Sequence, residues 1–229
     1  MPAVKILVID DEPSITKLVV AYLEPEGYEV YTAADGPAGL KAARAFKPDL
    51  IILDVMLPGM DGLELLSRLR RESEVYVIML TARTEETDKI VGLSVGADDY
   101  VTKPFSPREL TARVKAALRR IQGRKQAATD QRVLTFRHIR IDPGARQVAV
   151  DGKKIELTAI EFDLLQALAE SHGLVLSRNQ LLENVWGGEY FGELRVVDVH
   201  LGHVRQKLGG TEFISTVRGV GYRFDDETD

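Results

Sequence analysis

The sequence predicts a doubly wound α/β domain with a five-stranded parallel sheet, followed by a smaller α+β domain of helices and short strands. Three observations predict this arrangement. Unbroken apolar runs alternate with segments of helical periodicity through the first ~120 residues, as in parallel sheets covered by helices. Several runs end on polar or charged side chains, at the position where such sheets bind ligands. A polar stretch at 123–131 then separates this pattern from short alternating strands.

The composition is that of an ordinary globular protein. The 229 residues are 45% hydrophobic, which is enough for two modest domains. The absence of cysteine excludes disulfides, thiolate metal sites and a catalytic thiol. There is no leader-like N-terminus and no apolar run near the ~20 residues that span a bilayer, so we expect a cytoplasmic protein without membrane contact. The formal net charge of -5 means that any nucleic-acid binding must depend on a local patch.

The first domain, expected at 1–122, divides into five strand–helix units. The run at 4–9 ends in acids, and Pro13 then suits the first turn of a helix. The run that ends at Asp54 is apolar without alternation, which is typical of a strand buried on both faces, and a Pro-Gly turn follows it. The remaining expected strands cover 28–33, 75–80 and 99–102, and the remaining helices 37–46, 63–71, 86–95 and 107–121.

Side chains suited to phosphate or metal chemistry stand at four strand ends: Asp10 with Asp11, Asp54, Thr81 and Lys103. Each has a simpler explanation on its own, such as a solvated acidic turn, a capping threonine or a surface lysine. In one parallel sheet, however, these ends share an edge. Clustered carboxylates repel one another unless a hard divalent cation lies among them, and Mg²⁺ is commonly held by carboxylates, water and phosphate oxygens. The group therefore predicts a Mg²⁺ site facing a hydroxyl and an ammonium that could bind an anion.

Residues 4–121 resemble the receiver domain of bacterial two-component response regulators. Four stretches carry the resemblance: Ile9-Asp-Asp-Glu12, Leu53-Asp-Val-Met-Leu-Pro-Gly-Met-Asp-Gly62, Leu80-Thr-Ala82 and Gly96-Ala-Asp-Asp-Tyr-Val-Thr-Lys-Pro-Phe105. The resemblance implies that Asp54 accepts a phosphoryl group from a sensor histidine kinase. Phosphoryl transfer requires mainly positioning and neutralisation of charged oxygens, which a metal ion and Lys103 would supply.

The resemblance further implies a Mg²⁺ site formed by Asp10, Asp11, Asp54 and the backbone carbonyl of Met56. Thr81 and Lys103 would contact the phosphoryl oxygens. Movement of the Thr81 hydroxyl would open space for the ring of Tyr100, which resembles the family's switch aromatic. An ordinary strand tyrosine is the simpler interpretation of Tyr100, and the sequence leaves open whether the Lys103-Pro104 bond is cis.

Six charged residues near the end of this domain match positions that cross-pair between two receivers in the subfamily with a winged-helix output. The pairs are Lys89 with Glu109, Asp99 with Arg113, and Asp98 with Arg120. Scattered surface charge is the simpler interpretation, because exposed ion pairs contribute only ~0 to 1 kcal/mol. The resemblance implies a symmetric homodimer that phosphorylation favours.

The second domain, expected at 132–229, begins with short alternating strands through 133–156, where an Asp-Gly turn predicts a hairpin. Thr158 and Glu161 have the spacing of a capping box at the start of a helix. Ser177 is a second N-cap candidate, and a loop at 186–192 precedes a third helix.

The third helix, at 194–208, has two distinct faces. Val197, Leu201, Val204 and Leu208 recur at helical spacing and should pack inward. The other side carries Arg195, Val199, Gly202, His203 and Gln206. Arginine and glutamine can read base edges in a major groove, valine can contact a thymine methyl, and glycine permits close approach. An ordinary solvated face is the alternative, which spacing alone favours because acids outnumber bases in this half.

Four stretches resemble the winged-helix output domain of the OmpR/PhoB family: Leu157-Thr-x-x-Glu-Phe-x-Leu-Leu165, Arg195-x-Val-Asp-Val-His-Leu201, Val204-Arg-x-Lys-Leu208 and Thr216-Val-Arg-Gly-Val-Gly-Tyr-Arg-Phe224. The resemblance implies promoter DNA as a partner, a recognition helix at 194–208, a hairpin wing whose Arg218 enters the minor groove, and a loop at 186–193 that touches RNA polymerase. The implied DNA contacts are Arg195, Val199, His200, Gly202, His203, Arg205, Gln206, Thr216 and Arg218. Family members often carry arginine or another polar residue at the positions of Gly202 and His203, so their base preference does not transfer.

The combined prediction is a phosphorylation-activated transcription regulator that binds direct-repeat promoter sites as a dimer. One alternative is a Mg²⁺-dependent phosphohydrolase with Asp54 as nucleophile. Haloacid-dehalogenase-like enzymes place a second acid two residues after the nucleophile, whereas Met56 stands there, so turnover of external substrates lacks its proton donor. We therefore expect that the protein is not an enzyme for external substrates and that its only reactions are phosphorylation and dephosphorylation of its own Asp54. Another alternative is a second domain that binds only proteins.

Overall fold

The computed structural model describes residues 3–82, 96–127, 132–188, 194–210 and 212–226. The chain divides into two compact units, Met1–Leu118 and Arg119–Asp229. Within the described ranges, no helix combines the length and the apolarity needed to cross a bilayer.

Five parallel strands form the sheet of the first unit, in the order β2-β1-β3-β4-β5. Their bounds are β1 Lys5–Ile9, β2 Glu29–Ala33, β3 Leu50–Asp54, β4 Tyr76–Ala82 and β5 Asp99–Lys103. The helices are α1 Pro13–Leu23, α2 Gly36–Phe46, α3 Gly62–Arg70 and α4 Pro107–Ala127, and a 3₁₀ turn, Glu24–Glu26, follows α1. The predicted five-stranded parallel sheet is confirmed, while the helix predicted at 86–95 lies outside the described residues.

The strand order reverses at β1, which has β2 on one side and β3 on the other. Because strand–helix–strand crossovers are right-handed, α1 lies on one face of the sheet and α2 and α3 on the other. The carboxyl ends of β1 and β3 therefore flank the switch point where doubly wound sheets bind ligands. Asp10 directly follows β1, and Asp54 is the last residue of β3.

Burial on both faces accounts for the apolar strands. Ile6 through Ile9 in β1 and Leu50 through Leu53 in β3 have no exposed surface. At ~25 cal/mol per Å² of apolar surface removed from water, these side chains supply a large part of the free energy of folding of this unit. The central strands are thereby held rigidly, and so are the polar residues at their ends.

Helix α4 is longer than expected, because it continues to Ala127 and includes part of the predicted linker at 123–131. Arginine, lysine, glutamine and alanine dominate these added residues, and all four have high helix propensity. The polar composition indicated a linker, although it is equally compatible with a solvated helical turn.

The described residues of the second unit form two antiparallel sheets and three helices after α4. One sheet comprises β6 Leu134–Thr135, β7 Ile139–Asp142, β8 Gln147–Val150 and β9 Lys153–Ile155, paired in that order. The helices are α5 Ala159–Glu170, α6 Arg178–Trp186 and α7 Arg195–Leu208. The other sheet has the order β10-β12-β11, from β10 Val175–Ser177, β11 Ile214–Val217 and β12 Gly221–Phe224. The sequence did not indicate β10, which is too short to show a period.

Local sequence signals explain several boundaries in the second unit. Asp151 and Gly152 both have positive φ, 48° and 76°, as a type I′ hairpin turn between β8 and β9 requires. Thr158 and Glu161 form a reciprocal capping box at the start of α5, as predicted. Ser177 forms another with Gln180 at the start of α6. The four residues of α7 that were expected to pack inward are all buried.

Asp226 joins the end of the second unit to its beginning. Its Oδ2 accepts hydrogen bonds from the backbone N–H groups of His138, at 2.9 Å, and Ile139, at 2.8 Å. The carboxylate is buried. Asp226, the second residue after the β11–β12 hairpin, therefore fixes the first residue of β7, 87 positions earlier.

Candidate phosphoacceptor site and nucleic-acid interface

Three carboxylates meet at the carboxyl edge of the parallel sheet. Asp10, Asp11 and Asp54 each offer an oxygen, and these oxygens lie within 4.8 Å of one another. Asp10 and Asp54 are buried, with 1% and 3% of their surface exposed, while Asp11 is exposed. Hard carboxylate oxygens at this spacing suit a hard divalent cation, and the open side at Asp11 leaves room for water or a phosphate oxygen. This acidic cluster could hold a metal ion.

Lys103, the last residue of β5, lies beside the carboxylates. Its Nζ is 2.9 Å from Asp54 Oδ2, 2.9 Å from Asp10 Oδ2 and 3.3 Å from Glu12 Oε1. Burial opposes its charge, but hydrogen bonds and attraction from Asp10 and Asp54 prevail and hold the pKa of the Lys103 ammonium above its usual range. The ammonium is therefore charged at neutral pH. Glu12 was not among the predicted site residues, although it stands in the same acidic run.

Burial also shapes the chemistry of Asp54. It raises the pKa of the Asp54 carboxyl, and the negative charge of Asp10 adds to the effect, while Lys103 and a hydrogen bond from the Met56 backbone act against it. The Met56 side chain is 70% exposed, so only its backbone belongs to the site. The structure thus brings together the predicted Asp10, Asp11, Asp54, Met56 and Lys103.

Gly62, at the start of α3, lets the chain fold closely over the end of β3. A Cβ at this position would lie 2.0 Å from the backbone oxygen of Asp54, which no real side chain tolerates. The Gly62 N–H donates to the Val55 carbonyl at 2.8 Å, and Asp61 caps α3 by accepting from the Glu64 N–H at 2.7 Å. The sequence predicted a Pro-Gly turn at 58–59 but did not reveal that Gly62 touches the Asp54 backbone.

Thr81 and Tyr100 are both buried in neighbouring strands. Thr81 pairs in register with Thr102, and Leu80 pairs with Asp54, so Thr81 lies one residue beyond the level of Asp54 on the next strand. Tyr100 lies in β5, opposite Met79. The Lys103-Pro104 bond, which the sequence left open, is cis.

Most of the expected dimer residues have partners within one chain. Arg113 donates to Asp99 at 3.0 and 3.1 Å and to Glu109 at 2.8 Å. Asp98 Oδ2 accepts from Arg70 of α3 at 2.6 Å and from the Val77 N–H at 2.8 Å. In the second unit, Arg120 contacts Asp163 at 3.0 Å. Lys89 lies outside the described residues.

Helix α7 exposes a stripe of residues at spacings of four, three and four: Arg195, Val199, Gly202 and Gln206. Val199 is partly exposed and the other three are exposed. Arg205, beside the stripe, donates to the Ile214 carbonyl at 2.9 Å and to Thr216 Oγ1 at 2.7 Å, and its guanidinium lies over the Tyr222 ring. Arg205 therefore ties α7 to the β11–β12 hairpin, whose turn presents the exposed Arg218.

Two of the predicted DNA contacts, His200 and His203, lie off the exposed stripe. His200 is buried, with 1% of its surface exposed, and its ring packs against Trp186 at a centroid distance of 5.7 Å. His203 turns toward the buried Glu161, with Nδ1 3.8 Å from Oε1, and burial lowers the pKa of its imidazole. The inward face of α7 includes more than the four predicted apolar residues. A histidine can lie on the buried face of a helix as readily as on the exposed face.

Comparisons with protein families and with individual related proteins agree with this geometry. Residues 6–115 match the family described as response regulator receiver domain, and residues 152–224 match the family described as transcriptional regulatory protein, C terminal. The chain is 44% identical over 232 residues to the alkaline phosphatase synthesis transcriptional regulatory protein PhoP of Bacillus subtilis (strain 168), with 97% of each chain covered.

Solved structures show the same similarity over nearly the whole chain. A RitR mutant has 31% identity and a TM-score of 0.80, covering 98% of this chain and 100% of that one. Response regulator DrrB, a Thermotoga maritima OmpR/PhoB homologue, has 36% identity and a TM-score of 0.52, covering 97% and 99%. A receiver joined to a DNA-binding domain implies a histidine kinase and promoter DNA as partners. The chain therefore belongs to the OmpR/PhoB family of two-component response regulators.

Proposed function

We propose that Asp54 accepts a phosphoryl group from a sensor histidine kinase in a Mg²⁺-dependent reaction, and that this modification promotes dimerisation and binding to direct-repeat promoter sites in the cytoplasm. The observation that carries the proposal is the position of Asp54 at a strand end, in a cluster with Asp10 and Asp11 and 2.9 Å from the Lys103 ammonium. Because position 56 carries methionine rather than an acid, the chain acts on itself and not on external substrates.

The proposed reaction is an in-line displacement at phosphorus. An Asp54 oxygen forms a bond to phosphorus while the bond from phosphorus to the kinase histidine nitrogen breaks. Lys103 neutralises charge on the transferred oxygens, and its raised pKa keeps it protonated. Thr81, one residue beyond the level of Asp54 on the adjacent strand, would contact the same oxygens, and Tyr100 would respond as the switch aromatic. Mg²⁺, held by Asp10, Asp11, Asp54 and the Met56 carbonyl, would supply further positive charge.

A binding selection from random genomic DNA fragments tests the function as a whole. The protein is used before and after treatment with acetyl phosphate and Mg²⁺. We expect specific fragments to be retained, and more strongly after treatment. If no fragment is retained in either state, the second domain binds only proteins and the proposal fails.

We expect Asp11→Ala to raise the Mg²⁺ concentration needed for half-maximal phosphorylation by about tenfold or more, because a hard cation loses an anionic ligand or its orienting neighbour. The measurement is the initial rate of phosphorylation by acetyl phosphate across a Mg²⁺ titration. Glu24→Ala, which removes an exposed carboxylate at the far end of α1, is the matched control. Equal Mg²⁺ dependence in the two variants would remove Asp11 from the metal site.

The proposed dimer exchanges ion pairs that already exist within each protomer. Asp99 and Arg113 are both almost fully buried and are joined in one chain. Replacing an internal pair by an equivalent pair across the interface leaves the number of ion pairs unchanged, so the exchange itself needs little net electrostatic energy. Phosphorylation then needs to bias two states separated by only a few kcal/mol.

Mixing two charge-reversal variants tests whether Asp99 and Arg113 pair between protomers. Asp99→Arg and Arg113→Glu should each fail to dimerise alone after phosphorylation, because each places like charges both at the interface and within its own protomer. An equimolar mixture should form heterodimers, in which both cross-pairs are restored. Analytical ultracentrifugation measures this outcome, and a mixture that remains monomeric would place the interface elsewhere.

For DNA recognition, we propose that the stripe on α7 reads base edges in the major groove, with Arg195 and Gln206 as hydrogen-bonding residues. Arg218 adds charge in the minor groove, while Arg205 and Thr216 hold the hairpin against the helix. The loop at 186–193 is proposed to touch RNA polymerase, and residues 189–193 of it lie outside the described residues. Buried His200 and inward-turned His203 are left out of this set.

We expect phosphorylated protein to prefer two similar half-sites in direct repeat with centres about one helical turn apart (~10 to 11 bp), because two recognition helices must reach one side of the duplex. Fluorescence anisotropy on labelled duplexes with direct or inverted half-sites, and with ~5 bp added between them, measures the preference. Tightest binding to an inverted repeat would instead indicate symmetric docking of the DNA-binding domains.

A further inference from the structure

Gly202 lies in the middle of α7, and nothing in the described part of the chain accounts for a glycine there. Glycine is among the least favourable residues in a helix interior. Five other glycines of the second unit have positive φ, between 74° and 97°: Gly152, Gly173, Gly187, Gly209 and Gly219. A Cβ at Gly221 would lie 2.0 Å from the Leu176 carbonyl oxygen. Neither explanation applies to Gly202, because its backbone is helical and a Cβ would meet no atom within 4 Å apart from its chain neighbours and the backbone of its own helix.

The surroundings of Gly202 form a notch on an otherwise polar stripe. Val199 and Gln206 stand one turn before and after it. Three neighbouring side chains are held away from the gap. Lys207 donates to Glu161 at 2.6 Å, His203 turns to the same carboxylate, and Arg205 is tied to the hairpin. These three leave the notch open, with Val199 as an apolar wall.

We propose that Gly202 is a specificity-determining residue whose notch receives a thymine methyl group in the major groove. The missing side chain lets the centre of α7 lie closer to the base pairs, and Val199 covers the methyl from one side. A methyl group is the only apolar feature on a base edge in this groove, so an apolar notch selects thymine over the other bases. This inference deepens the proposed DNA-binding function and rests on it.

The chemical test replaces single thymines by uracil, which lacks only the methyl group, at each position of the half-site obtained by selection with the native protein. One replacement should weaken binding by about fourfold, the equivalent of burying one methyl group. Gly202→Ala fills the notch. We expect this variant to bind the native site more weakly by tenfold or more and to lose the difference between thymine and uracil at that position. Its thermal midpoint should nevertheless rise by about 4 to 8 °C, because alanine favours the helix.

Gly210→Ala is the matched control, since a Cβ there also meets open space but the residue lies beyond the end of α7. It should leave affinity and base preference unchanged. The proposal is overturned if Gly202→Ala keeps the native affinity and thymine preference, or if it lowers the thermal midpoint, which would assign the glycine an internal structural role. Failure of the native protein to bind any DNA would instead defeat the DNA-binding function itself, together with this inference.

Discussion

The Asp54→Asn variant is expected to take up no phosphoryl group from acetyl phosphate and Mg²⁺, whereas the native chain takes up one. The amide keeps the size of the carboxylate but lacks its nucleophilic charge and one of the negative oxygens of the acidic cluster. Intact-protein mass spectrometry measures the added phosphoryl group directly. Asp35→Asn is the control, because Asp35 caps α2 and asparagine caps equally well, so labelling should persist.

The same Asp54→Asn variant should remain folded, with a thermal midpoint at neutral pH no lower than that of the native protein. Burial raises the pKa of Asp54 in the folded state, so its ionised form disfavours folding once the pH exceeds the pKa of the unfolded chain. A neutral side chain removes this penalty. Labelling of the variant would place the phosphoacceptor elsewhere, and unfolding of the variant would make loss of labelling uninformative, which is why both measurements belong together.

The Arg70→Met variant is expected to lower the free energy of unfolding by ~3 to 5 kcal/mol, because it removes the guanidinium that pairs with the buried carboxylate of Asp98. Arg70 also donates to the Gly96 carbonyl at 2.8 Å and to the Val75 carbonyl at 2.6 Å, so the change removes three contacts at once. Urea denaturation of the full chain measures the effect, as a transition at lower denaturant concentration.

Arg68→Met is a matched control on the same helix. Its 2.6 Å pair with Glu64 is half exposed, and such i,i+4 pairs contribute only ~0.3 to 0.5 kcal/mol. Combining Arg70→Met with Asp98→Asn should recover part of the loss, because the buried group is then neutral. Equal effects of Arg68→Met and Arg70→Met would contradict the importance assigned to the buried pair.

The Arg70–Asp98 pair also bears on the expected dimer. If Asp98 is to pair with Arg120 of a second receiver, it must first give up Arg70 and its buried position. The Asp98–Arg120 cross-pair thus stays a prediction that opposes a strong internal contact. The Asp99–Arg113 exchange also gives up a buried internal pair, but an equivalent pair across the interface replaces it.

Much of the prediction from sequence depended on hydrophobic periodicity and on the residues at the ends of the strands. Apolar runs without alternation marked the buried strands, and the expected ends of β1, β3 and β5 predicted that Asp10, Asp54 and Lys103 lie at one edge of the sheet. These signals are local, and a parallel sheet converts strand ends into neighbours by topology alone. The capping box at Thr158 is likewise a local signal, because its two residues lie within four positions of the sequence.

What escaped prediction depends on contacts distant in sequence. Arg70 and Asp98 are 28 residues apart, and neither has a local pattern that indicates a buried pair. The burial of His200 depends on Trp186, from a different helix. The orientation of His203 depends on Glu161. The sequence indicated that Glu161 caps a helix, but it did not indicate that the same carboxylate contacts α7. A polar residue on an amphipathic helix can face either way, and only packing against the neighbouring helix decides which.

The bond between Asp226 and the start of β7 has a consequence for biosynthesis. Residues 138 and 139 leave the ribosome long before residue 226 exists, so this bond cannot form while most of the second unit is being made. The first unit lies within residues 1–118 and can fold during that interval, since domains generally fold as units in the order of synthesis. Chains truncated after residue 150 and released from the ribosome should therefore carry a protease-resistant first unit and a protease-sensitive remainder. Ribosomes would thus display a receiver competent for phosphorylation before any DNA-binding surface exists, and protease resistance of the 119–150 segment in such truncated chains would contradict this order.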